Sequence, residues 1–517
     1  MKTAMKSIVE QILAYEETQP DKVAVFDGKN SMTYGVLAAS ISFDMTVLQA
    51  EYNLKKGDAV IIAADKQLEF VPLYLACHAL GIVTLPIAPD TNQKRYTLIK
   101  ERVKPKLVVG FNDVGKNDAG KSVGLSKFLS LSKFSGLADT VDLTVEIELD
   151  DLADIMFTTG TTGEPKGVQL THRNIMAAAR NINTFIQNKP DDIEMIALPI
   201  SHSFGIGRMR CALSNGQTVV MLGSFANAKR FFRFMEDYKV TGFGMVPASW
   251  ALLKRLSGMK IKDYAEQLHY IEIGSAPMPL EEKQALIDAL PNTRICMHYG
   301  LTEASRSAFM EFHECKATGH LTTIGKQSPN MNITIRDEQG VEVPNGTEGE
   351  ICVSGDAVTK GYLSLPTSDS FWKDDDRTSN FRTGDWGVKD DECYITLRSR
   401  KKELINVGGK KVSPLEVEAV LMEFPFVKDC ACIAVPDPEG VLGEVVKAFI
   451  VTDSPEKINH ADIDKLIGDK LESYKHPVAY EVIDEIPKTS SGKVQRLSLK
   501  SSVENGVRAN VAATGNL

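Results

Sequence analysis

Between Phe157 and Gly167 the chain reads Phe-Thr-Thr-Gly-Thr-Thr-Gly-Glu-Pro-Lys-Gly, which gathers four threonine hydroxyls, three glycines and one lysine in a single loop. Glycine lets the main chain approach an anion and turn its N–H groups inward, the hydroxyls add donors, and Lys166 adds a mobile positive charge. Such a loop suits phosphate, and a nucleotide is the first ligand to expect. The candidate contacts are Thr158, Thr159, Gly160, Thr161, Thr162, Gly163 and Lys166. The order is not that of a Walker A loop, because Lys166 follows Pro165 and precedes Gly167 where that motif needs Gly-Lys-Ser/Thr. A P-loop kinase or ATPase is therefore disfavoured. A Thr/Gly surface linker would explain the composition but not so many anion donors in one place.

Four further motifs follow in order. They are His298-Tyr299-Gly300-Leu301-Thr302-Glu303, Phe381-Arg382-Thr383-Gly384-Asp385, Arg400-Lys401-Lys402-Glu403-Leu404-Ile405 with Gly409 and Val412 behind it, and Pro487-Lys488-Thr489-Ser490-Ser491-Gly492-Lys493. With the threonine loop, they closely resemble the signatures of the adenylate-forming superfamily, which contains acyl- and aryl-CoA ligases, peptide-synthetase adenylation domains and firefly-type luciferases. The resemblance covers nearly the whole chain and is nearest to an acyl- or aryl-CoA ligase. It implies ATP and Mg2+ as cofactors, a small-molecule carboxylic acid as substrate and CoA as acceptor.

A carboxylate acylates poorly, because its carbonyl is electron-rich and oxide would have to leave. Attack on the α-phosphorus of ATP expels pyrophosphate and gives an acyl-adenylate, from which AMP leaves when a thiol attacks. Several anions meet in the first step, so the site needs cations and oriented donors rather than a strong base. The resemblance distributes the roles. The loop from Thr158 to Lys166 embraces the β- and γ-phosphates, Thr302 contacts the α-phosphate, and Glu303 holds Mg2+, a hard cation that keeps its waters. Gly274, Ser275, Ala276 and Pro277 leave room for adenine, Tyr299 beside Gly300 stacks on the base, and Asp385 and Arg400 read the ribose. Lys493 reaches the substrate carboxylate and the ester oxygen at the α-phosphate. Lys402 is the hinge, and Gly408 and Gly409 line the thiol tunnel. His202, in Pro199-Ile200-Ser201-His202-Ser203-Phe204-Gly205, lines the acid site; that segment holds no Asp for an α-ammonium, so an α-amino acid is not expected.

Singly, several of these residues have plainer readings. Thr-Gly-Asp is a common turn, a tyrosine usually packs in a core, and a lysine in a polar loop is ordinarily solvated. Ser399, Asn406 and Ser354 depart from the family pattern without removing an assigned group, and they bear on how the C-terminal domain meets the thiol. The acceptor could instead be an acyl carrier protein's phosphopantetheine arm. A luciferase-type oxygenase shares the first step, and a non-catalytic nucleotide-binding module would keep the loop. Joint presence of Lys493, Glu303 and Asp385 argues against the last.

A chain of 517 residues exceeds one core and allows two or three domains. A net charge of −9 argues against nucleic acid as a partner and against docking on anionic membranes. No apolar run approaches the roughly 18 residues of a membrane span, and Glu10, Glu16 and Glu17 interrupt the N-terminal segment where a signal peptide would be apolar. The eight cysteines show no Cys-x-x-Cys spacing and are expected as buried free thiols in a reducing cytoplasm.

The elements that must position these residues follow from alternating patterns. Strand 59–63, helix 68–80 and strand 82–86 form a βαβ unit. The alternation continues with a strand before Thr158, helix 171–187, strand 195–200, a helix to 213, strand 219–222, a helix to 238, strand 242–246, a helix after Pro247, and strands 270–273 and 294–297 around helix 280–290. This predicts an α/β fold with a large N-terminal domain of parallel-type sheets covered by helices, and sites beyond the carboxyl ends of strands, where Thr158, Ser201, Gly274 and Tyr299 fall. Short strands after Pro329 suggest a β-rich subdomain over about 330–398, closing a domain of residues 1–398. A charged hinge at 399–402, a small mobile α+β domain at 403–500 and a flexible tail at 501–517 complete the expectation. Trp250 would favour a flat or short acid if it points into the acid site.

Overall fold

The computed structural model describes residues 5–111, 121–128, 145–159, 165–363, 370–373, 379–488 and 492–503. Two compact units are present, one comprising Met1–Ile333 and Val353–Phe381, the other Thr334–Cys352 and Arg382–Leu517.

In the first unit the expected βαβ forms. Ala59–Ala63 and Val83–Ile87 pair in parallel with Ala59 opposite Val83, and the apolar helix Phe70–Ala79 that joins them is buried along nearly its whole length. Strands buried at nearly every position, apolar but for Thr84, are what a sheet covered on both faces produces. The six-stranded sheet runs in the order Lys121–Val123, Leu107–Val109, Ala59–Ala63, Val83–Ile87, Leu152–Thr159, Pro165–Thr171. Its last two strands form an antiparallel hairpin with Thr158 opposite Lys166. The strand pattern did not disclose the second arm, because Pro165 and Gly167 read as loop residues. Pro165 occupies the first strand position, where no ladder donor is lost, and a Cβ on Gly167 would come within 3.0 Å of Ile155 and 3.1 Å of Phe157. Thr158 thus lies inside a hairpin arm and not beyond a parallel strand.

The nine-stranded sheet is parallel from Arg294–Leu301 through Tyr270–Ile273, Gly242–Met245, Ile193–Ile196 and Thr218–Met221 to Val23–Phe26, with antiparallel strands at both edges. The strand expected to stop at 297 continues to Leu301, because Ala304–Glu311 returns against it with Leu301 opposite Ala304. Tyr299 is therefore a strand residue, whereas Ser201 and Gly274 do follow strand ends.

In the second unit, Asp429–Pro436 and Glu444–Val451 pair antiparallel and Pro477–Val482 joins in parallel. Helices Pro414–Leu421 and His460–Gly468 cover this sheet, with Val417, Leu421, Ile463 and Ile467 packed on Cys432 and Ala448. The long strand Ser379–Lys389 places Asp385 opposite Arg400 of Ile395–Arg400. All eight cysteines are free, and Cys393 is the exposed one. Among the described residues no helix is long and apolar enough to cross a membrane.

Candidate active site

Gly160, Thr161, Thr162 and Gly163 lie outside the described residues, while Thr158, Thr159 and Lys166 close the hairpin on either side of them. The helix Gln93–Val103 braces both arms. Arg95 Nη2 donates to the Phe157 carbonyl at 3.1 Å, and Arg102 Nη1 donates to that of Pro165 at 2.7 Å. Lower in the same strand, the fully buried Asp154 accepts from Tyr74 Oη at 3.0 Å, lies 2.9 Å from His78 Nε2, and also takes hydrogen bonds from Thr84 and Arg210. Burial alone would raise the Asp154 carboxyl, but Arg210 and His78 hold it far below its ordinary range. Arg210 belongs to the helix Ser203–Ser214, so this ion pair ties the strand Leu152–Thr159 to the helix that starts beside His202. Sequence reasoning missed this brace; an Asp inside the apolar run Ala153–Phe157 was its signal.

Thr302 and Glu303 form the two-residue turn between Arg294–Leu301 and Ala304–Glu311. Gly300 is required there, since a Cβ would lie 2.5 Å from the Arg306 amide nitrogen. Thr302 Oγ1 sits 3.3 Å from Ser203 Oγ. The Glu303 carboxylate accepts from Tyr362 Oη at 2.7 Å, and Lys166 Nζ lies 4.8 Å above the Tyr362 ring. Tyr362 therefore brings together two residues that stand 137 positions apart (303 − 166). Nothing in the sequence reading singled it out. A divalent ion fits this carboxylate: Glu303 is nearly buried and no Lys or Arg among the described residues pairs with it. Among those residues there is also no group of three or more His, Cys, Asp and Glu able to hold an ion unaided. An ion here would draw its other oxygens from phosphate and water, which is the habit of Mg2+.

Gly274 ends the strand Tyr270–Ile273, and a Cβ there would come within 2.1 Å of the His298 ring. Ser275 then takes a left-handed φ of 75°, turning the chain at once toward Ala276 and Pro277. Tyr299 is buried in its strand opposite Ala308. Below them lies a buried charge network. Glu272 is 2.7 Å from His298 Nδ1, accepts from Arg306 Nε at 3.1 Å and lies 3.1 Å from Arg208 Nη1, while Arg208 forks onto Glu194 at 2.8 and 2.6 Å. Burial would raise the Glu272 carboxyl, yet Arg306, His298 and Arg208 hold it well below the usual carboxylate range. Burial also lowers the His298 imidazole despite Glu272.

His202 is exposed at the start of its helix, while the protein packed around it, followed by Arg95, lowers its imidazole. Trp250 is buried and donates its indole N–H to Glu282 at 2.7 Å, so its polar edge serves the scaffold.

The second unit holds the remaining candidates. Asp385 Oδ1 is 2.7 Å from Arg400 Nε, and the Asp385 N–H donates to Thr383 Oγ1 at 3.0 Å. The two expected ribose contacts are thus each other's partners. Gly408 and Gly409 make the turn joining Ile405–Val407 to Lys410–Val412, with φ of 56° and 84°. Two successive positive φ values favour glycine for backbone reasons alone. Lys402 stands in the turn after Arg400, where the Glu403 N–H donates to the Arg400 carbonyl at 2.9 Å. Lys493 is exposed, and Arg496, three residues on, forks onto Glu418 at 2.6 and 2.8 Å and reaches Glu403 at 2.9 Å. One guanidinium therefore links the segment after Lys493 to the residue after Lys402. It belongs to no motif and went unnoticed in the sequence.

Residues 14–363 match the family model of the AMP-binding enzyme, and residues 416–493 match that of the AMP-binding enzyme C-terminal domain. The chain belongs to the AMP-binding enzyme family, in agreement with its motifs and its α/β architecture. It is 30% identical to the 2-succinylbenzoate–CoA ligase of Bacillus licheniformis over 93% of this chain and 97% of that protein. It is 29% identical to the 4-coumarate–CoA ligase-like 9 of Arabidopsis thaliana over 92% of this chain and 86% of that one. The structure of ATP-bound MatB from Rhodopseudomonas palustris is similar with a TM-score of 0.84 at 25% identity, covering 96% of this chain and 98% of that chain.

Proposed function

We propose that the chain is an AMP-forming acid–thiol ligase that uses ATP to activate a carboxylic acid as its acyl-adenylate and then forms the CoA thioester. The observation that carries this reading is the meeting of Lys166, Tyr362 and Glu303 beside Thr302, one cation and one metal-type carboxylate on two hairpins. Thr158, Thr159 and Lys166 orient the terminal phosphates, and Thr302 donates to the α-phosphate. Glu303 would hold Mg2+, which would supply neutralising charge for the phosphates. Asp385 accepts from the ribose hydroxyls while Arg400 keeps its carboxylate in place. Lys493 stabilises charge that grows where carboxylate and α-phosphate meet. Lys402 serves as the pivot between a domain of residues 1–398 and one of 403–500, and Gly408 and Gly409 face the thiol.

The relatives named above are CoA ligases, which favours CoA over a carrier protein's arm as acceptor. Their acids differ, so the acid is assigned here only as one without an α-ammonium. Eight free cysteines suit a reducing cytoplasm. The test is acid-dependent exchange of pyrophosphate into ATP across aryl, short, medium and long acids, repeated with CoA. Exchange with at least one acid, followed by thioester once CoA is added, is expected. An enzyme that binds ATP yet exchanges with no acid would overturn the proposal.

A further inference from the structure

We propose that Tyr362 is a positioning residue for the phosphate site, its hydroxyl fixing the Glu303 carboxylate and its ring face holding the Lys166 ammonium. The inference rests on reading Glu303 as the metal carboxylate and Lys166 as a phosphate contact, and it deepens that reading by giving both a common support. Tyr362 Oη donates to Glu303 Oε1 at 2.7 Å, while Lys166 Nζ lies 4.8 Å from the centre of the same ring. A donor on Oε1 sets the rotation of the carboxylate and leaves Oε2 for an ion. The negative face of the ring holds a cation without neutralising it. Lys166 is thereby held over the ring and apart from Glu303, with which a salt bridge would occupy both groups.

Tyr362 is itself held firmly. It bridges Val168 on the second arm of the phosphate hairpin, and the Leu363 N–H next to it donates to the Gly167 carbonyl at 2.7 Å. Its ring meets Phe371 edge-on at 5.4 Å. Upstream, the Thr359 N–H donates to the Glu303 carbonyl at 2.8 Å and the Thr359 hydroxyl to that of Gln169. Val358 bridges Ala304, and the Asn174 amide donates to the Val358 carbonyl at 2.8 Å. The segment 358–363 therefore joins the phosphate hairpin to the Thr302–Glu303 turn, and Tyr362 is the side chain through which their charged groups meet.

The experiment is calorimetric binding of ATP without acid, at low and at saturating Mg2+, to the full chain and to Tyr362→Phe, Tyr362→Leu, Glu303→Gln and Lys166→Met. Tyr362→Phe keeps the ring and should weaken binding about tenfold at low Mg2+ and little at saturating Mg2+. It should add nothing in the Glu303→Gln background. Tyr362→Leu removes the ring as well and should weaken binding at both Mg2+ levels, a second loss that disappears in the Lys166→Met background. Unchanged melting temperature and circular dichroism of Tyr362→Phe separate positioning from folding. Binding by Tyr362→Phe equal to wild type, or equally weak at every Mg2+ concentration, overturns the inference while a Mg2+-dependent Glu303→Gln leaves the metal reading standing. A Glu303→Gln variant with unaltered Mg2+ dependence removes the metal reading itself.

Discussion

Lys493 is exposed, and the role proposed for it is to stabilise charge in the adenylation step. Lys493→Ala should reduce acid-dependent pyrophosphate exchange a hundredfold or more, roughly the loss seen when one electrostatic stabiliser is removed, and should leave CoA attack on supplied acyl-adenylate nearly intact. Measuring the two half-reactions separately checks it, and equal losses in both would refute the role. His172 presents the opposite case, a buried imidazole with neither ring nitrogen hydrogen-bonded. Burial, then the neighbouring His78, lowers it from an ordinary 6.5 to about 3. The folded form stays neutral while the unfolded chain takes up a proton below pH 6.5, so stability is complete above that value and declines as the pH falls toward 3. His172→Leu should flatten the decline in melting temperature between pH 6.5 and 4.5, a window of about 2 kcal/mol for one such group. The same slope in wild type and variant would place the acid sensitivity elsewhere.

At the scale of elements, hairpins and their braces organise the first unit's candidates. Gly274 ends a strand against the His298 ring, with 2.1 Å where a Cβ would stand. Gly274→Ala should cost roughly 1–3 kcal/mol by overpacking, read from denaturant midpoints, and should weaken ATP binding because Ser275 and the residues after it shift together. A variant of wild-type stability would show that the His298 ring moves aside easily. Asp154 braces the strand Leu152–Thr159 against the Ser203–Ser214 helix through Arg210. Asp154→Asn leaves the Arg210 cation buried without its counter-charge and should destabilise by about 3–5 kcal/mol. Thermal unfolding decides this, and a loss under about 1 kcal/mol would mean that Tyr74 alone satisfies Arg210.

For the whole molecule, the proposed reaction asks the C-terminal domain for two services in turn, Lys493 for adenylation and the Gly408–Gly409 turn for the thiol. Lys402→Pro fixes φ at the proposed pivot, so thioester formation should slow strongly while adenylation stays near normal. Rates of both half-reactions on this variant test the idea, and an unimpaired thioester step would place the pivot elsewhere. The chain's motifs were legible because each is local: threonines, glycines and a lysine in one loop state their chemistry without the fold, and the alternating patterns state the α/β class. Gly408 and Gly409 were visible too, but their φ values now give them a backbone reason that composition could not separate from a functional one. What the tertiary structure decided was pairing. The hairpin arm behind Pro165 and the extension of Tyr299's strand by Ala304–Glu311 depend on nearby partners that only the pairing reveals, while the Asp154–Arg210 brace and the Tyr362–Glu303 contact join residues 56 and 59 positions apart. A sequence states what a residue can do; only packing, which excludes water and sets which donor meets which acceptor, states with whom.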